Sequence, residues 1–311
     1  MCEDCERLYD MHKASEQKGV GTKMTVNQLC SPDTIKYLLD KYGFRFSKSM
    51  GQNFLIDSSV PVRIAEAADL DETVGVLEVG AGFGCLTAAT AAYAGKVVCV
   101  ELDTSLQPVL EETLEEYDNA EIVYGDVMKT DIKALVAEKF AGLKPVVCAN
   151  LPYNITSPVI TAFLESGCFE TITVMIQKEV AKRMNAKPGT ADYGAFTLLV
   201  QWYCETEILF DVSPSCFMPA PKVTSSVIQL RKRTAPVCQV QDEALMFKVI
   251  RAAFNQRRKT LNNALSNGFG QLTKQEIAEC IAECGFDERI RGEALHLEQF
   301  AALADALAKR L

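Results

Sequence analysis

Between Val74 and Lys232 short runs of apolar, β-branched residues alternate with longer stretches whose apolar positions recur every three or four residues. Continuous apolar runs mark strands covered on both faces, and the longer period marks helices that cover them. The pattern predicts strands at 74–79, 96–101, 120–125, 144–149 and 171–176, with helices between them at 84–94, 104–117, 131–140 and 156–166. That alternation builds a parallel sheet wrapped by helices. A helix starting near Glu179 and another at 193–203 follow, then two strands at 205–212 and 224–232. Their link carries Pro214, Pro219 and Pro221, which stiffen it, and it is too short to cross over a helix, so the two strands pair antiparallel. The expected core is a seven-stranded α/β sheet with its last strand antiparallel.

Upstream, Ser31-Pro32-Asp33 opens a helix with Ile35, Leu38 and Leu39 on one face, and Gly43 ends it. Proline suits the first turn and glycine the position past the end. A polar stretch from Ser47 to Asp57 and a helix from Val60 to Ala68 come next. Beyond Pro236 strand patterning stops, and 241–267, 273–284 and 293–310 read as helices, the first with Phe247, Ile250, Phe254, Leu261 and Leu265 on one face. Single cores stop growing near ~250 residues, so 311 residues suit two domains. Residues 1–23, without apolar periodicity, read as an extension, 24–235 as the sheet domain and 236–311 as a small all-α domain.

Composition narrows the class. No segment reaches the ~18 apolar residues of a membrane span, and the first twenty residues lack a secretory core, which predicts a cytoplasmic protein away from membranes. The twelve cysteines sit mostly in apolar runs such as Val97-Val98-Cys99-Val100 and read as small buried hydrophobes. Cys2 and Cys5 resemble half a zinc ribbon whose second half is missing, although Cys280 and Cys284 exist, and no metal is expected. The two histidines, His12 and His296, lie in no motif, which disfavours a histidine base. A net charge of −9 opposes whole-molecule attraction to nucleic acid, yet residues 222–259 hold nine Lys and Arg against Asp242 and Glu243 alone. By itself that run reads as a solvated helix surface.

Candidate chemistry starts at Glu78-Val79-Gly80-Ala81-Gly82-Phe83-Gly84, where a strand gives way to a helix. Glycines there let the backbone approach a ligand closely. Glu101 ends the next strand, placed to accept both ribose hydroxyls, and Asp126 ends the third within Gly125-Asp126-Val127. Together they read as an adenosine pocket. G-x-G-x-G is not the dinucleotide spacing and no P-loop lysine follows, so phosphate is not the ligand. S-adenosylmethionine, adenosine with an amino-acid tail, fits better, and a dehydrogenase-type or purely structural turn is the alternative.

Asn150-Leu151-Pro152-Tyr153 follows the fourth strand, at the carboxyl edge where open α/β sheets place ligands. An exocyclic adenine amine is a poor nucleophile because its lone pair is delocalised into the ring. Acceptors aimed at its N–H groups draw it toward a tetrahedral geometry: the Asn150 side chain offers one, and the Leu151 carbonyl, held exposed by Pro152, a second. Tyr153 offers a face for a flipped-out base, stacking being worth about 1–3 kcal/mol. Catalysis would come from positioning and electrostatics.

With these residues assembled, the chain from about Thr25 to Leu311 resembles the ribosomal RNA small-subunit adenine N6-dimethyltransferase family. The resemblance rests on Ser49-Met50-Gly51-Gln52-Asn53-Phe54-Leu55, Glu78 to Thr87, Val100-Glu101-Leu102-Asp103, Gly125-Asp126, Asn150 to Thr156 and Phe217-Met218-Pro219-Ala220-Pro221-Lys222-Val223. It implies a Rossmann-like methyltransferase sheet and dimethylation of two adjacent adenosines near the 3′ end of small-subunit (16S) rRNA, on a ribosomal precursor, by a monomer. It implies that Gln52, Asn53 and Leu55 close over S-adenosylmethionine, that Gly80, Gly82, Glu101, Leu102, Asp126, Val127 and Asn150 bind it, and that Phe217 sandwiches the base opposite Tyr153. It assigns Lys222, Arg231, Arg233, Arg251, Arg257, Arg258 and Lys259 to RNA phosphates, reversing the bland reading of the basic run. Residues 1–23 match nothing in the family, and Ala81 stands where proline is frequent. The alternatives are the large-subunit (23S) adenine dimethyltransferase of the macrolide-resistance type and an assembly factor whose methylation is secondary.

Overall fold

The computed structural model describes residues 23–45 and 52–311. The extension, with Cys2, Cys5 and His12, and the start of the motif at Ser49 therefore lie outside the described residues.

The helix Pro32–Tyr42 begins with proline and ends on Gly43 at φ +63°, where an L side chain would be strained, and it buries Ile35 and Leu38. After it comes a strand too short to show a period, β1 (Phe54–Leu55), then the helix Ser59–Ala67. The main strands are β2 (Val74–Val79), β3 (Lys96–Glu101), β4 (Ala120–Tyr124), β5 (Lys144–Asn150) and β6 (Thr171–Gln177), followed by β7 (Cys204–Val212), β8 (Phe217–Met218) and β9 (Ser225–Lys232). Seven of them form one sheet in the order β4-β3-β2-β5-β6-β9-β7, and β1 pairs with β8 in a separate two-stranded ladder. Every pairing from β4 through β6 is parallel. One strand of the sheet is antiparallel. β9 enters between β6 and β7, so the hairpin is built backwards into the sheet and its second strand lies inside.

Crossover helices cover the parallel strands, among them Cys85–Ala91 and Thr156–Ser166. β2 is buried along its whole length, as a strand covered on both faces should be. The order reverses at β2, with β3 on one side and β5 on the other, and the carboxyl ends of these strands open a crevice there.

The chain divides into two compact units: the described residues up to Lys178 with Leu209–Gln229, and Glu179–Ile208 with Leu230–Leu311. The second unit draws in the helices before β7, because Tyr193 and Trp202 share a core with Phe247, Leu265 and Phe300. Its carboxyl-terminal part differs from the sequence reading in two respects. The helix expected over 293–310 begins only at Leu297, after a short turn at Gly292–Ala294 and an extended His296. The single helix expected over 241–267 is two, Glu243–Asn255 and Leu261–Gly268. Thr260 caps the second, its hydroxyl accepting from the Asn263 amide, and the Leu261 amide donates out of line to the Ile290 carbonyl at 2.7 Å. Both pieces bury one stripe in one core, which is why the apolar period runs through the break. Among the described residues no helix is long and apolar enough to cross a membrane.

Candidate active site

The loop after β2 turns on Gly80 (φ +79°) and Gly82 (φ +57°), both in the left-handed region that L side chains avoid. A Cβ on Gly80 would meet nothing within 4 Å, whereas one on Gly82 would sit 3.1 Å from the Phe54 ring. The Gly80 amide donates to the Val100 carbonyl at 3.0 Å, fixing the loop against β3.

Glu101, at the end of β3, is 6% exposed. Its Oε1 accepts the Asp103 amide at 2.8 Å, and the backbone amides of Gly82 and Ala81 also hydrogen-bond its carboxylate. Burial lifts its pKa above the usual carboxylate range, and those amides oppose the lift. Glu101 thus ties the glycine loop to β3 and keeps acceptor capacity toward the cavity. Asp126 Oδ1 takes the Met128 amide at 3.0 Å, turning the chain so that Met128 reaches the rim. Gln52 Nε2 donates to Asp103 Oδ2 at 2.7 Å, which holds the start of the β1 segment at the same rim. Leu102 and Met128 are 55% and 42% exposed and line the opening, apolar surface of the kind on which a flat purine rests.

At the other end, the Leu151 amide donates to the Met175 carbonyl at 3.1 Å, which pins the turn after β5 onto β6. The Pro152 carbonyl accepts the Thr156 hydroxyl at 3.1 Å and the Ile155 amide at 3.2 Å, closing a rigid bend. The side-chain amide of Asn150 has no partner among the described residues. Leu151 is 1% exposed, so its carbonyl is not open to solvent as the sequence reading expects, although the residue lines the cavity. Phe217 is buried and pairs across the small ladder with Leu55, while Phe54 stacks on Phe83 at 4.3 Å between ring centroids.

These groups surround one cavity of about 310 Å³. Gln52, Asn53, Leu55, Gly80, Gly82, Glu101, Leu102, Asp126 and Val127 line it, and so do Asn150, Leu151, Pro152, Tyr153 and Phe217. Acceptors, an apolar rim and two aromatic side chains meet in a single space suited to a small adenosine-like ligand and a planar base.

Sequence reasoning passed over several wall residues. Met128 is one. Glu78 opens the glycine motif but was given no role of its own: it is wholly buried in β2, accepts the Thr87 hydroxyl at 2.7 Å, and burial pushes its pKa well above the usual range. An acid inside the apolar run Val74–Val79 was the available signal.

A family model for ribosomal RNA adenine dimethylase matches residues 43–309. The chain belongs to this family. This chain is 46% identical, over 286 residues, to the ribosomal RNA small subunit methyltransferase A of Alkaliphilus metalliredigens, covering 92% of this chain and 100% of that protein. It is 45% identical over 283 residues to the Clostridioides difficile protein of the same name, with 91% and 98% covered. Among solved structures it is similar to a dimethyladenosine transferase from Plasmodium falciparum (TM-score 0.67, 26% identity, 80% of this chain and 95% of that one). It is also similar to the 23S rRNA methyltransferase ErmE (TM-score 0.62, 27% identity, 82% and 100%).

The basic residues that the sequence singled out separate into two kinds. Lys222 in the first unit, and Arg251, Arg258 and Lys259 in the second, are exposed and without an ion-pair partner among the described residues. Arg233 and Arg257 are already engaged. Arg233 Nε donates to the Gln201 carbonyl at 2.9 Å and a terminal nitrogen meets Glu205 at 3.1 Å, while Arg257 donates to the Ala191 carbonyl at 3.0 Å and lies 3.6 Å from Glu293. Arg231 is exposed and has interactions of its own. None of these seven lines the cavity.

Proposed function

We propose that the protein transfers methyl groups from S-adenosylmethionine to the exocyclic N6 of two adjacent adenosines near the 3′ end of 16S rRNA, giving N6,N6-dimethyladenosine during small-subunit assembly. The observation that carries this reading is the convergence on one cavity of the Asn150–Tyr153 turn, Phe217, the glycine loop and Glu101. The names of the most similar relatives support the small subunit as the RNA.

S-adenosylmethionine supplies an electrophilic methyl on a sulfonium. The residues present suit it: Glu101 offers a carboxylate for ribose hydroxyls, Leu102 and Met128 an apolar slot for adenine, and Gly80 a backbone edge that no side chain blocks. The target adenine would lie between Tyr153 and Phe217, with its amine directed at the Asn150 side-chain carbonyl and at the Leu151 carbonyl, both from residues that line the cavity. Accepting two N–H bonds turns the nitrogen lone pair out of conjugation and toward the methyl. Burial holds the Tyr153 phenol above its usual pKa, so it stays neutral and serves as a stacking surface rather than a base. We take residues 24–235 as the methyl-transfer domain and 236–311 as the helical RNA-contacting domain, and the enzyme as a cytoplasmic monomer.

The test is to incubate the protein and methyl-labelled cofactor with unmethylated small or large ribosomal subunits. Label should enter only small-subunit RNA, as dimethyladenosine. Label confined to large-subunit RNA would establish the second reading, which the likeness to ErmE favours.

A further inference from the structure

Building on that reaction, we propose that Ser225 is a positioning residue: it fixes the Tyr153 ring in the place from which the ring holds the target base through both methyl transfers. Ser225 opens β9 and is 0% exposed, in a run whose Val227, Ile228 and Leu230 are apolar and buried. A hydroxyl at such a depth costs stability unless it is hydrogen-bonded. Its partner is the Tyr153 hydroxyl, at 2.7 Å and 72 residues away in sequence.

The anchor is rigid. The Thr224 carbonyl beside it accepts the Lys178 amide at 3.0 Å, and Ser226 Oγ donates to Asp211 Oδ1 at 2.6 Å. Tyr153 itself sits in a turn outside the sheet, and its ring moves on two torsions. A bond at the far end of the ring stops rotation about Cα–Cβ, because any such swing carries the hydroxyl away from Ser225. The hydroxyl lies on the Cβ–Cγ axis, so the bond leaves spin about that axis free. The position of the ring offered to the base is nevertheless set by the sheet and not by the turn, and that position fixes where its face meets the base. Two successive transfers to one nitrogen need the base to stay against that face while the amine turns between them. A ring free to swing would release the base after one transfer, so loosening it should alter the product as well as the rate.

The experiment compares wild type, Ser225→Ala, Tyr153→Phe and the double variant on unmethylated small subunits. It measures kcat, KM, cofactor affinity and the ratio of monomethyl- to dimethyladenosine. Ser225→Ala should lower kcat about tenfold, the scale of a modest misplacement of reacting groups. KM and cofactor affinity should hold, and the monomethyl fraction should rise. Tyr153→Phe should do the same, and the double variant should lose no more than either single change, because both remove one bond. Wild-type kcat and product ratio in Ser225→Ala would overturn the proposal, as would additive losses in the double variant. Should Ser225→Ala fail to fold, Tyr153→Phe decides alone: a wild-type product ratio there overturns it. A wild-type protein that methylates no small subunit would instead sink the proposed function and leave the anchoring bond untouched.

Discussion

Asn150 and Glu78 both line the same cavity and meet opposite demands. Asn150 has an amide with no partner among the described residues, placed where β5 ends, so its removal should leave the fold intact and the transition state short of an acceptor. Asn150→Ala should cut kcat by about 10²–10³, the usual loss for one preorganised hydrogen-bond group. Binding of cofactor and subunit should persist, as titration would show. A growth defect that Asn150→Ala does not reproduce would point to the assembly role. Glu78 is buried with one hydroxyl donor, and its folded pKa lies well above the unfolded value. Between the two values the folded state holds a proton that the unfolded state has lost, so this group's contribution to stability falls as pH rises through that window. Glu78→Gln removes the titration. Its melting temperature relative to wild type should therefore rise from pH 5 to pH 8, and a difference flat with pH would contradict the burial argument. Asn150, Glu101 and Asp126 were legible in the sequence because each stands where a strand gives way to a turn, Asn150 and Glu101 as its last residue and Asp126 two residues past it. Ser225 and Met128 were not, since one gains its meaning from a partner 72 residues away and the other from a turn that Asp126 makes.

Strands and crossover helices announced themselves by period, and β2, β3, β5 and β6 fall within a residue of where the apolar runs put them. The β1–β8 ladder did not, because two residues carry no period and their pairing is non-local. Yet that ladder joins the two flanks of the cavity, Leu55 facing Phe217, and Phe54 from it presses on the glycine loop. Two substitutions separate its effect from backbone strain. Gly80→Ala meets only an unfavourable φ, costing about 1–2 kcal/mol. Gly82→Ala meets the same strain and also drives a methyl to 3.1 Å from Phe54, so the ladder has to shift. Thermal unfolding should rank Gly82→Ala as the less stable of the two. Cofactor affinity should fall in both, and in Gly80→Ala with less loss of stability, because its methyl points into open space.

An acidic molecule that must hold RNA needs its few free cations in the right place. With a net charge of −9, long-range attraction cannot do the work, and affinity falls to short-range contacts with phosphate. Sequence could count the basic residues from 222 to 259 but could not tell which were spent internally. That depends on non-local packing in the second unit, where Tyr193 donates to the Leu295 carbonyl at 2.8 Å and so brings Ala191 within reach of Arg257. The distinction has a measurable consequence. Each cation that neutralises a phosphate adds about 0.7–0.9 to the slope of log affinity against log salt. Arg258→Ala and Lys259→Ala, at exposed positions without an ion-pair partner among the described residues, should each weaken subunit binding and lower that slope by about one. Arg233→Ala removes a side chain already bound to Gln201 and Glu205, so it should leave the slope unchanged and lower the melting temperature instead. Filter binding across a salt series, with melting curves for the same proteins, checks all three. A slope that drops for Arg233→Ala as much as for Lys259→Ala would mean that Arg233 leaves its internal partners to meet RNA.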